Sequence, residues 1–425
     1  MVLTERQKKD INEAILEYLI SEGDTFKKTI EYFKIESQLN GFVTSEKGLL
    51  EKKWTSVVRL QKKVMDLEAM VASHPMKSND QPSTALQTES KYLPVVPVKS
   101  VLVGHRGPVT SIAVHPLYTL MATGSEDTII KIWDYDSAQC ERSLKGHTGP
   151  VTGLCYDSSG NFLASCSADM SAKIWDMCSF SCIKTLRGHD HSISSIRYSI
   201  NNECLYTCSR DQSIKCWETS SGFCVKTLLG HTDWVKCIAV SLDGSLLASG
   251  GSDHYVIVWR LAGGQILQTL RGHEHVVESV CFGKRPADGS AIVSRSIFSN
   301  SNSNNTINGS SNNNNVTISQ ESDYLVSGSR DKSIRLWDVL SGNCLTILSS
   351  HDSWVRAVLV TPSGKYIISS SDDKSIRIFD VKEQRQLRNV ADAHTHFVTC
   401  LALSVKNNTL VSGSVDKNVH VWTCS

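Results

Sequence analysis

The chain has almost no net charge: 44 lysines and arginines stand against 43 aspartates and glutamates, leaving +1. That balance argues against a general nucleic-acid or membrane-surface binder and leaves room only for a local basic patch. No run of 18 apolar residues occurs, so no transmembrane helix and no membrane insertion is expected. The first residues, MVLTERQKKD, lack the apolar core of a secretory signal. Paired CxxC motifs at zinc spacing are missing, so neither a metal site nor a cofactor is expected. No single-copy nucleophile stands beside a base, which leaves no catalytic residue to name and makes a hydrolase the least favoured reading.

What the chain does have is a repeat. Histidines 105, 147, 189, 231, 273, 351 and 394 open seven copies. In six, an aspartate follows 22 residues later: Asp127, Asp169, Asp211, Asp253, Asp373 and Asp416. In the fifth copy, Asp331 comes 58 residues after His273. Six residues beyond each aspartate is Trp133, Trp175, Trp217, Trp259, Trp337, Phe379 or Trp422, and four before it is a serine or threonine. A spacing near 42 residues with four short strands per copy is that of a propeller blade. The expected architecture is an all-β seven-bladed propeller over 100–425.

The repeat also predicts how the ring closes. A strand such as Cys140–Lys145 precedes each histidine and is the outer strand of the preceding blade. Ser100–Val103 has no blade before it, and only three residues follow Trp422, so the N-terminal strand should complete the seventh blade. Closure removes the free edges of a linear array.

A histidine, an aspartate and a hydroxyl invite a nucleophilic-triad reading, but a constellation present in every blade is scaffold. His105, His147, His189, His231, His273, His351 and His394 are therefore assigned with their aspartates to a structural network: carboxylate to imidazole, imidazole to hydroxyl, hydroxyl to indole N–H. Phe379 leaves the sixth network one bond short. The pairing puts the histidine loop and aspartate turn on one face of the ring. Arg210, Lys236, Arg330, Trp354 and Lys374 fall on that face, with Trp234 and Arg356, and make a basic surface with exposed aromatics.

The fourteen cysteines lie between Cys140 and Cys424. Cys140, Cys182, Cys224 and Cys344 each stand seven residues before a repeat histidine, which reads as small apolar filler in a reducing, cytosolic compartment rather than a disulfide frame. The extra residues of the fifth copy, about 283–319, include NSNSNNTINGSSNNNN and have almost nothing to bury. They fall between the first and second strands, on the face opposite the histidine loops.

Ahead of the repeats, residues 1–40 read as a helical hairpin whose apolar face includes Ile15, Leu19 and Phe33. Residues 48–72 carry a heptad stripe with Leu60, Val64 and Leu67. Short helices of this kind need a partner, and a parallel homodimer is expected. Residues 73–99, with Pro75, Pro82, Pro94 and Pro97, read as a linker.

These residues carry a resemblance. The seven copies resemble WD40 repeats, ILEYLISEGDTFKKTIEYFK resembles a LisH dimerisation motif, and LLEKKWTSVVRLQKKVMDLE with VSGSRDKSIRLWDV looks like the lissencephaly-1 (nuclear distribution NudF) family over nearly the whole chain. The resemblance implies a homodimeric, non-catalytic regulator of the cytoplasmic dynein motor. It acts in nuclear migration and in spindle and centrosome positioning on microtubules, with NudE-type coiled-coil partners. It places the dynein contacts on Arg210, Lys236, Arg330, Trp354 and Lys374; at Lys236 the family often has arginine. In animals the family resembles a non-catalytic subunit of a platelet-activating-factor acetylhydrolase. A substrate receptor of a ubiquitin ligase, where LisH and WD40 domains also co-occur, is the alternative from another class.

Overall fold

The computed structural model describes residues 93–284, 323–404 and 406–424. The helical hairpin, the coiled coil and most of the linker lie outside the described residues, as does the body of the Asn-rich insertion. Among the described residues, seven four-stranded antiparallel sheets form, and each is one blade. Short strands such as VTSIAV and VTGLCY combine β-branched, apolar and small residues, suited to a sheet packed on both faces.

The inner strands are β2 (Val109–Val114), β6 (Val151–Tyr156), β10 (Ile193–Tyr198), β14 (Val235–Val240), β18 (Val277–Gly283), β22 (Val355–Val360) and β26 (Val398–Ser404). Each packs against its two neighbours, and β26 returns to β2, so the inner strands enclose a central channel. The core is divided among seven seams, each with its own apolar cluster drawn from two adjacent blades. At the first seam, Leu144 and Ile132 of one blade meet Trp175 and Leu163 of the next.

Closure follows the expected route. β1 (Ser100–Val103) pairs with β28 (Asn418–Thr423), Ser100 opposite Val421 and Val103 opposite Asn418. Leu102 is buried in the seam between the last and first blades, against Trp133, Tyr135 and Val419. The residues just before β1 also hold to the seventh blade: the Val95 amide donates to the Thr423 carbonyl at 2.8 Å, and Lys99 does the same to Val421. The end of the segment read as linker is therefore fastened to the ring.

Across three seams a threonine hydroxyl adds a stitch. Thr110, Thr152 and Thr399, each second on its inner strand, donate to the carbonyls of Val151, Ile193 and Val109 on the next blade. The same position in the fourth, fifth and sixth blades is Lys236, Glu278 and Arg356.

The filler reading of the repeated cysteines is corrected. Cys140, Cys182 and Cys224 are exposed and Cys344 only half-buried. They sit on outer strands, where the wedge between blades has opened too far for a small side chain to bridge. All fourteen cysteines are unpaired. Four cysteines on the two inner strands of their blades are different: Cys166, Cys208, Cys237 and Cys400 are buried in the seams.

Candidate partner-binding face

The face is built by the seven aspartate turns. In each, one carboxylate oxygen accepts the amide two residues on, as Asp169 Oδ1 does from Ser171 at 2.9 Å, which bends the chain back on itself. The intervening residue takes a left-handed conformation, with φ of 63° at Met170 and 67° at Lys374. The other oxygen accepts the histidine Nδ1 at 2.6–3.0 Å in all seven blades. It also takes the amide following the histidine, such as Thr148 at 3.0 Å. Histidine loop and aspartate turn are thereby locked on one face.

The far side of each imidazole completes the chain. Nε2 lies 2.7–2.8 Å from a serine or threonine hydroxyl. In six blades that hydroxyl accepts the indole N–H at 2.8–2.9 Å. Indole can only donate and carboxylate only accept, so the hydroxyl donates to a neutral imidazole whose Nδ1 carries the proton. In the sixth blade Phe379 gives no donor, and the Ser369 hydroxyl keeps His351 at 2.7 Å and lies 3.4 Å from the Arg377 carbonyl, a contact that the first and fourth blades also show. The hydroxyls of Ser165, Thr207 and their equivalents are fully buried. A substrate cannot reach them, which leaves the constellation with a scaffold's role.

Burial and bonding act oppositely on these groups. Burial lowers the His147 pKa below its usual value, against the pull of Asp169. Burial pushes Asp169 upward, but bonds from Ser171, His147 and the Thr148 amide outweigh it and hold the carboxyl at about 2. The Asp169–His147 pair is thus carboxylate and neutral imidazole at neutral pH.

On the platform made by these turns, the predicted contact residues gather into two cation–aromatic stacks. Arg210, in the turn after β11 (Cys204–Ser209), lies over Trp234 with its guanidinium carbon 3.4 Å from the ring centroid. Lys236 Nζ stands 5.1 Å from the same ring. Two blades on, Arg330 lies 4.3 Å over Trp354, and Arg356 is 5.0 Å from it. His254 and His275 extend the second stack: their rings are 5.8 Å apart, and His275 is 6.4 Å from Trp354. Lys374 is exposed on the sixth aspartate turn, and no side-chain contact ties it to either stack.

The surface is less bare than its composition suggests. Both tryptophans are half-buried, covered by the arginines, where exposed aromatics were expected. Two carboxylates that the sequence reading missed also temper the charge. Glu278 pairs with Arg330 Nε and lies 3.9 Å from Arg356, and Asp372 takes Arg356 in a two-pronged bond at 2.8 and 2.9 Å. Glu278 had a signal: lining up the copies five residues after each histidine puts an acid where other blades carry threonine, serine, lysine or arginine. Among the described residues no group of three or more His, Cys, Asp or Glu is placed to hold a metal ion.

Comparison with known proteins accords with this geometry. The WD domain, G-beta repeat model matches residues 96–134, 138–176, 180–218, 222–260, 301–338, 342–380 and 385–423. Six of the seven matches begin with the outer strand of one blade and end in the next, the same one-strand offset that closes the ring; the fifth, 301–338, begins inside the long insertion of its copy. The chain is 57% identical over 425 residues to the lissencephaly-1 homolog of Dictyostelium discoideum, covering 99% of both. It is 56% identical over 423 residues to that of Heterostelium pallidum, again covering 99% of both. With the Branchiostoma floridae homolog it shares 44% over 146 residues, 34% of this chain and 36% of the other. Seven WD40 blades and near full-length identity to these relatives make the chain a member of the lissencephaly-1 family.

Proposed function

We propose that this chain is a non-catalytic regulator of the cytoplasmic dynein motor, and that it meets the motor domain through the band running from Arg210 to Lys374. The observation that carries the reading is the pair of arginine-over-tryptophan stacks on one face, at Trp234 and Trp354. Arginine and tryptophan held rigid before contact lose little freedom on binding, which suits the centre of an interface. Dimerisation through 1–40 and 48–72, with Ile15, Leu19, Phe33, Leu60, Val64 and Leu67 in the contact, supplies two rings on one tether. Tethering raises effective concentration, so one weak contact holds the other in place. NudE-type coiled-coil proteins are proposed as further partners, and microtubules, centrosome and spindle in the cytoplasm as the sites of action.

The test is a double variant, Arg330→Ala with Trp354→Ala, in the full chain. Capture of dynein from cytosol should be lost while dimer mass and thermal unfolding stay near wild type. Undiminished capture would remove this face from the interface. Recovery of ubiquitin-ligase subunits in place of motor subunits would favour the alternative class.

A further inference from the structure

Arg197, an inner-strand cation, makes no ion pair among the described residues. Inner-strand residues eight positions after each repeat histidine are small or apolar in six blades, namely Ala113, Cys155, Ala239, Cys281, Leu359 and Ala402, and pack with the seam clusters. The seventh member is Arg197, on β10, which is only half-buried. Its charge is felt on both sides of the channel: burial raises the thiol pKa of Cys155 on β6 and of Cys281 on β18, and Arg197 pulls both back down.

The guanidinium has five N–H donors in a planar fork. Among the described residues its one hydrogen bond is from Nη1 to the Ile196 carbonyl at 2.8 Å. The carboxylates nearby are engaged elsewhere. Glu278 and Asp372 are taken by Arg330 and Arg356 at the mouth, and Asp157 accepts the Ser159 hydroxyl and the Phe162 amide. A half-buried cation facing low-dielectric walls favours an anion strongly.

We propose that Arg197 holds a small oxyanion of the phosphate or sulfate class in the central channel, admitted past Lys236. The fork fits two oxyanion oxygens at once. Lys236 and Arg356 stand three residues earlier on this strand's counterparts; Arg356 is paired with Asp372, so Lys236 is the mouth cation on the path to Arg197.

The experiment is calorimetric titration of the full chain with sodium phosphate at constant ionic strength, paired with thermal unfolding. Wild type should take up one phosphate per ring, and its Tm should climb with the logarithm of phosphate concentration. Arg197→Met should bind none, and its Tm should follow a sodium chloride control, since general salting effects act on both proteins alike. Removing an unpaired charge should leave its anion-free Tm at or above wild type. Arg197→Lys, which keeps charge but loses the fork, should bind at least tenfold more weakly; it carries the comparison if the methionine variant does not fold. Equal uptake by wild type and Arg197→Met, unchanged affinity in Arg197→Lys, or no uptake by wild type would each overturn the proposal. Sulfate and inositol phosphates, titrated in parallel, separate a free inorganic ion from a phosphorylated metabolite.

Discussion

Arg210 and Trp234 belong to successive blades, yet the guanidinium lies flat against the indole at 3.4 Å. The stack spans a seam, so it forms only when the two blades are in register. Arg210→Lys keeps the charge and loses the planar overlap. It should weaken motor-domain binding by about 1–2 kcal/mol, roughly five- to thirtyfold in Kd, with little change in Tm. Binding measured by interferometry at two salt concentrations checks this: a purely coulombic contact would leave affinity unaltered by the swap.

Acid should unfold the ring in two stages. Burial lowers the folded-state pKa of His105, His147 and His273, so the unfolded chain binds protons first as pH falls below about 6.5. Stability is lost from there downward. Asp169 is held at about 2, and Asp127 and Asp253 are also depressed, so their share persists above about pH 4 and disappears between that pH and the folded value. The midpoint of urea unfolding should fall from pH 7.5 to 5.5 and fall faster below 4. A flat profile across pH 5–7 would contradict the neutral-imidazole network.

The sixth blade offers an internal control. Ser165→Ala strips a hydroxyl bonded to both His147 and Trp175 and should cost about 1–3 kcal/mol. Ser369 lacks the indole bond, so Ser369→Ala should cost less. Urea unfolding of the two variants orders them, and a larger loss for Ser369→Ala would refute the network's role.

Closure by β1 predicts a remote effect of a terminal residue. Leu102→Ala empties a site in the seam of the first and last blades and should cost about 2–5 kcal/mol. Protection of amides should fall on both β28 and β2, measured by hydrogen exchange. Loss confined to β1 would mean that the ring stands without its clasp.

The blade count, ring closure and polar network were legible because each rests on spacing within one repeat. Cross-blade relationships were not. Glu278 meets Arg356, and Arg210 meets Trp234, only because the ring curves by one seventh of a turn per copy. The cysteines misled for a related reason. Register shows that Cys140 and Cys182 are equivalent, but not that the outermost strand of a wedge faces solvent. Ile15, Leu19, Phe33, Leu60, Val64 and Leu67 lie outside the described residues, and their contact rests on periodicity.

The threonine stitches end where the basic band begins. Thr110, Thr152 and Thr399 sew their blades to the next, whereas Lys236, Glu278 and Arg356 occupy the same loom position and point toward a visitor. That arc surrendered three fasteners in order to acquire a grip. A protein docked from Arg210 to Arg356 would lie as a splint across joints held by stacks and ion pairs in place of threonine, so docking should stiffen the recipient there.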